Sequence, residues 1–194
     1  LIGVYVLEPA EPLPPMTQED LEFERFQIKA VSAIEEELDR ILKTRKQSRI
    51  QTIADMVIRN YGHLDEKINF YQNLRSLEDY VSRHSLNVAI LCAMITHVMN
   101  IRREEQYHTV CAALLHDMGK LKKHEDVYFG APYSREDAIR NCETQEEAYS
   151  VIEDAFATEG PAIRRICQQA AGKQLDLFPE EGKESRYKML EGSN

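Results

Sequence analysis

Ala112-Ala113-Leu114-Leu115-His116-Asp117-Met118-Gly119-Lys120-Leu121 is an apolar run that ends in an imidazole, a carboxylate and an ammonium. Val110, Cys111, Leu114 and Leu115 recur at helical spacing, so the run reads as the inward face of a helix over about 104–118. Gly119 is its natural stop. A His-Asp pair at the end of a buried helix needs polar partners, and a metal ion is one of the few that satisfies both groups. A second fragment, Asp79-Tyr80-Val81-Ser82-Arg83-His84-Ser85-Leu86-Asn87-Val88-Ala89, places His84 near the start of another helix, over about 82–99. Val88, Cys92, Ile95 and Met99 form its expected inward face. If these two helices are antiparallel neighbours, His84 and His116 lie at the same level of a bundle.

Outward from this pair the chain is helical throughout. Ile28, Val31, Ile34, Leu38 and Ile41 recur at three- and four-residue steps, which predicts a long helix over 19–44 capped by Thr17 with Asp20. Ile50, Ile53, Val57 and Ile58 mark a second helix, ended by a left-handed residue at Gly62. Leu64, Ile68, Tyr71, Leu74 and Leu77 mark a third over about 64–80. Residues 121–133 read as irregular, with Gly130 and Pro132. Ser134 and Thr144 each precede acidic residues and predict two further helix starts. Ala148, Val151, Ile152 and Phe156 give the second of these its core face. Gly160-Pro161 breaks the pattern, and a last helix carries Ile163, Ile166 and Ala170. Residues 1–7 suit a short strand, followed by a linker dense in proline. The expected fold is all-α, a helical bundle with a short N-terminal extended segment. Its expected divisions are an extended linker at 1–16, ending a domain that lies upstream, N-terminal helices at 17–62, the main helical domain at 63–172 and a loose tail at 173–194.

Composition narrows the function. A net charge of −9 over 194 residues argues against broad nucleic-acid binding, which needs a basic face. It leaves room for a small anionic ligand, since a metal supplies local positive charge. Cys92, Cys111, Cys142 and Cys167 form no CxxC pair; Cys92 and Cys111, among aliphatic residues, read as core thiols, which fits a reducing, cytoplasmic compartment. No stretch has the apolar length of a membrane span.

The chemistry of His84, His116 and Asp117 is that of a hydrolytic metal site. Adjacent metal ions, bridged by an Asp, hold a phosphate, lower the pKa of a bound water and steady the leaving oxygen. Lys120, one turn on from His116, is placed to reach a phosphate oxygen as a point charge.

His84-Ser85 followed by Asn87-Val88-Ala89, together with the 112–121 run, resembles the HD superfamily of metal-dependent phosphohydrolases. The closest resemblance is to its HD-GYP group, bacterial cyclic-dinucleotide phosphodiesterases of signalling systems. The resemblance covers about residues 77–123. It implies that His84, His116 and Asp117 bind metal, that Asp117 and Lys120 serve catalysis, and that a divalent ion (Fe, Mn, Zn or Mg) is the cofactor. The group's downstream His-His-Glu run and Gly-Tyr-Pro segment are absent. The superfamily also implies a later aspartate; Asp137, Asp154 and Asp176 are available, and Asp154 is chosen by position. The implied substrate is a small phosphorylated ligand or nucleotide.

Two readings from different classes follow. In one, the chain is an HD-type phosphohydrolase that cleaves a phosphate ester with metal-activated water. In the other, it is a catalytically degenerate HD domain acting as a regulatory, ligand-binding or interaction module, in which His84, His116 and Asp117 form a buried polar cluster. The second would use helix 19–44 to form a homodimer or relay a signal, against the plainer reading of a surface helix packed on its own domain. His97 and the charged His124-Glu125-Asp126 cluster are read as solvent-facing or hydrogen-bonded groups. Gln174-Leu175-Asp176-Leu177-Phe178 resembles the pentapeptide by which bacterial proteins dock on the sliding clamp, with Leu177 and Phe178 as anchors, or else as residues folded back on the body.

Overall fold

Residues 17–63, 77–121 and 135–176 are described in a computed structural model of the chain. They form seven α-helices and two 3-10 turns, with no strand among them. The helices are α1 Gln18–Thr44, α2 Ile50–Tyr61, α3 Leu77–Val98, α4 Arg103–Leu115, α5 Arg135–Tyr149, α6 Ile152–Phe156 and α7 Gly160–Asp176. The 3-10 turns span Met118–Leu121 and Ala157–Glu159. None of the described helices is long and apolar enough to cross a membrane.

Helix α1 starts where its chemistry requires. Thr17 accepts a hydrogen bond from the Asp20 amide, and the Asp20 carboxylate accepts one from the Thr17 amide, so two of the helix's unpaired donors are satisfied. Its stripe Val31, Ile34, Leu38 and Ile41 is buried against α3 and α2. The stripe is therefore covered within the chain, as a helix packed on its own domain requires. Ile28, expected on that face, is instead 60% exposed. Glu37 is buried in the same helix and accepts hydrogen bonds from the amide and hydroxyl of Ser48, fixing the turn into α2.

Helices α3 and α4 form the centre of the bundle. Only residues 99–102 join them, so they run antiparallel. Gln106 on α4 donates to the Ala93 carbonyl and the Thr96 hydroxyl of α3. Gln27 on α1 donates to Asn87 on α3 at 3.0 Å. These buried polar ties fix the register of three helices that apolar packing alone would leave loose. Leu86, Ile90, Leu114, Leu115, Ile152 and Ile163 fill the core around them.

Several local expectations are corrected. The predicted 64–80 helix falls partly outside the described residues, and its last residues, Leu77 to Tyr80, already belong to α3. Helix α4 ends at Leu115, before Gly119, because the chain turns at His116-Asp117 into the 3-10 segment. Thr144 starts no helix: it lies within α5 and returns its hydroxyl to the Arg140 carbonyl. Gly62 ends α2 with φ −72°, not in the left-handed region. Glycine is required there because a Cβ would come within 2.5 Å of the Ile58 carbonyl oxygen. Ile95 and Met99 point outward, and with Leu91 and Val98 they leave an apolar stripe along the exposed side of α3. The expected strand at 1–7, the proline-rich linker, residues 122–134 and the segment from Leu177 onward lie outside the described residues.

Candidate metal centre

The 116–121 turn is braced from α5. Tyr149 donates its hydroxyl hydrogen bond to the His116 carbonyl. Gln145 accepts from the Gly119 amide at 2.8 Å and donates to Asp117 Oδ1 at 3.2 Å. Gly119 lies so close to α5 that a Cβ would stand 2.5 Å from the Gln145 side chain and 2.7 Å from the Thr144 carbonyl. Together these contacts hold His116 and Asp117 just past the end of α4, turned toward the start of α3.

His84 meets them there. Its Nε2 lies 3.3 Å from His116 Nε2 and 3.6 Å from Asp117 Oδ2. His116 Nε2 lies 3.7 Å from Asp117 Oδ1. The Tyr80 ring stacks parallel to His84 at 5.8 Å and limits its rotation. His116 Nδ1 lies 2.8 Å from the Ala113 carbonyl, an acceptor only, so this contact takes the Nδ1 proton, and in the neutral ring the lone pair is on Nε2. That lone pair faces His84 and Asp117.

The donor set fits a metal ion. Nitrogen and oxygen ligands about 2.0–2.2 Å from a tetrahedral metal stand about 3.3–3.6 Å from one another. The three separations here run from 3.3 to 3.7 Å. A backbone carbonyl orienting the far nitrogen of a ligating imidazole is the usual outer support for such a site. Among the described residues, His84, His116 and Asp117 are the one group with this geometry.

Burial and charge tune the same groups. Burial lowers the His84 pKa; Asp117 opposes that shift, while His116 and Lys120 reinforce it. The ring is thus kept neutral, the form a metal ligand needs. Burial works against the Asp117 charge, yet His116, Lys120 and His84 outweigh it and hold the carboxyl below its ordinary value. The closest of these partners is Lys120, whose ammonium lies 2.7 Å from Asp117 Oδ2 with both groups buried. Each carboxylate oxygen has two lone pairs, so Asp117 can hold Lys120 and Gln145 and still face the two imidazoles.

The remaining expected residues are placed as follows. Lys120 sits at the site but is bonded to Asp117, not free to receive a phosphate. Asp154 is brought elsewhere: its half-exposed carboxylate on α6 bonds to Arg45 at 2.7 Å. The side chains of Asp137 and Asp176, and His124 with its acidic neighbours, lie outside the described residues. Gln145 and Tyr149 join the site without a motif in the sequence that marks them. Their signal was faint, a glutamine and a tyrosine four apart on one helix face.

The family model for the HD domain matches residues 81–183, more than half of the chain. The chain belongs to the HD-domain family. The match includes His84, His116, Asp117 and Lys120. HD domains are metal-dependent phosphohydrolases that generally bind a divalent ion and phosphorylated substrates, and the His84-His116-Asp117 cluster is where this chain can hold one. No curated protein and no solved structure matches the chain.

Proposed function

We propose that this HD domain is a phosphohydrolase in which His84, His116 and Asp117 bind a divalent metal ion and cleave a phosphate ester. The observation that carries this reading is the approach of two imidazole nitrogens and a carboxylate to within 3.3–3.7 Å, with His116 Nδ1 held by the Ala113 carbonyl and Nε2 turned to the other two groups. When bound, the metal supplies a Lewis acid for the phosphoryl oxygen and an activated water at neutral pH. The chain's own groups do the rest. Asp117, charged and buried, offsets the positive charge of the ion. Gln145 and Tyr149 hold Asp117 and the His116 backbone in place. Lys120, bonded to Asp117 at 2.7 Å, balances the carboxylate charge and holds a positive charge beside the site where an anionic substrate would bind.

The finer reading is a phosphodiester substrate of the cyclic-dinucleotide type. It rests on the HD-GYP-like sequences at 84–89 and 112–121 alone. Asp154 is not part of the proposed ligand set, given its bond to Arg45.

Metal analysis of the purified chain, with His116→Ala as control, tests the proposal. Stoichiometric Mn, Fe or Zn that is lost in the variant, with hydrolysis of bis-p-nitrophenyl phosphate that EDTA abolishes, is the expected result. Absence of metal under every loading condition would overturn it and favour a regulatory module.

A further inference from the structure

A cavity of about 340 Å³ opens at the other end of the α3–α4 pair, where α2 ends, α3 ends and α4 begins. His97, at its rim, lies about 20 Å along α3 from His84 at 1.5 Å per residue. Arg59, His63, His97, Asn100, Arg103 and the buried Gln106 supply its polar lining, over a floor of Ile58, Gly62 and Ile101. Among the described residues no acidic side chain lines it, although the chain carries a net charge of −9.

Three sources of positive potential converge there. The first is the two guanidiniums. Arg59 makes no ion pair among the described residues, and the nearest carboxylate to Arg103, that of Asp55, is 3.9 Å away across a largely exposed contact. Such a contact contributes little. The second is the pair of imidazoles, His63 and His97, which offer ring N–H donors even when neutral. The third is the start of α4. Its cap residue, Arg102, makes no side-chain capping bond, and the first amide to bond back along the helix is that of Gln106. The amides of residues 103–105 therefore have no helical acceptor. Glu104 and Glu105 moderate the dipole at this end, and Glu105 is neutralised by Arg102.

We infer that this cavity is a second anion site, separate from the metal centre, that binds a small phosphate-bearing anion. A carboxylate offers two acceptor oxygens in one plane. A phosphoryl group presents several oxygens at once and can accept from guanidinium and imidazole donors of the lining together, with the start of α4 adding its dipole. The cavity also has room for more than a bare oxyanion, so the phosphate can carry a substituent.

The test uses the full chain, ¹⁵N-labelled and kept in EDTA so that no metal occupies the His84 site. Inorganic pyrophosphate is titrated in, and amide shifts are followed at constant ionic strength. The expected result is saturable shifts at Arg59, His63 and residues 97–103. They persist in His116→Ala and weaken by about tenfold or more in Arg59→Ala/Arg103→Ala. Both arginines are exposed, so the double variant is expected to keep its spectrum in the absence of pyrophosphate. If the double variant is unfolded, Arg59→Gln alone must show the same weakening. Shifts confined to the neighbourhood of His84 and His116 overturn the inference. So does an equal response to acetate, or an unchanged titration in the arginine variants.

Discussion

Asp117 carries more of the candidate site than any other residue, and its charge survives burial through His116, Lys120 and His84, of which Lys120 is the closest. The two groups lie 2.7 Å apart, both buried. Removing one charge of such a pair strands the other in a poor solvent, which typically costs about 3–5 kcal/mol. Asp117→Asn keeps the shape and the Gln145 contact but leaves the Lys120 ammonium unpaired. Urea unfolding in EDTA should show a loss near the lower end of that range, about 3 kcal/mol, because Lys120 retains slight access to water. Asp117→Asn/Lys120→Met should recover most of it, since no buried charge remains. Neither variant should retain metal. A double variant as unstable as the single one would mean that Asp117 is held by the imidazoles and Gln145, not by Lys120. The sequence placed Asp117 and Lys120 together, one turn apart, but not their mutual bond: a lysine near a phosphohydrolase motif reads as a substrate contact until its partner is seen.

At the scale of elements, the site depends on how closely the 118–121 turn approaches α5. Gly119 permits that approach. A methyl group there would stand 2.7 Å from a backbone oxygen, that of Thr144, which cannot swing aside as a side chain can. Gly119→Ala should therefore push the turn off α5, cost about 1–3 kcal/mol, and loosen the Gln145 bonds that aim Asp117. Urea unfolding should register the cost, and metal affinity in the same variant should fall. A variant with wild-type stability and affinity would show that the turn is not fixed by α5. The helices themselves were legible because their core stripes repeat: Val31, Ile34, Leu38 and Ile41 sit where a 3.6-residue period puts them. Helix α3 was harder. It is apolar on nearly every side, so periodicity does not choose its inner face, and Ile95 and Met99, which spacing places inward, face out. The brace from α5 was not legible at all. Gln145 reaches Asp117 across 28 residues, and nothing local in either segment encodes that meeting.

For the whole molecule, proton binding by buried groups sets the range of pH over which the fold is most stable. His84 has a folded pKa below its ordinary 6.5. Below pH 6.5 the unfolded chain takes up a proton there that the folded chain resists, so stability falls with falling pH. Asp117 has the same sign at lower pH. Its carboxyl is held below 3.8, and its contribution is lost as the pH drops through that folded value. The thiols and phenols act in the opposite direction. Burial raises Cys111 to about 12 from 9.0, raises Cys167 further, and raises Tyr61 to about 12 from 10.0. Burial also lifts Tyr149 above its ordinary value. Above pH 9 the unfolded chain releases protons that these buried groups keep, so the folded state binds more protons and stability falls with rising pH. Urea midpoints measured in EDTA and reductant should therefore form a plateau between about pH 6.5 and 9 and decline on both sides. Cys111→Ala/Cys167→Ala should flatten the start of the alkaline decline, and His84→Gln should flatten the first part of the acid one. An acid decline that began at pH 6.5 and was unchanged in His84→Gln would mean that another group takes up the proton. The neutral imidazole inferred at the metal centre would then lose its support.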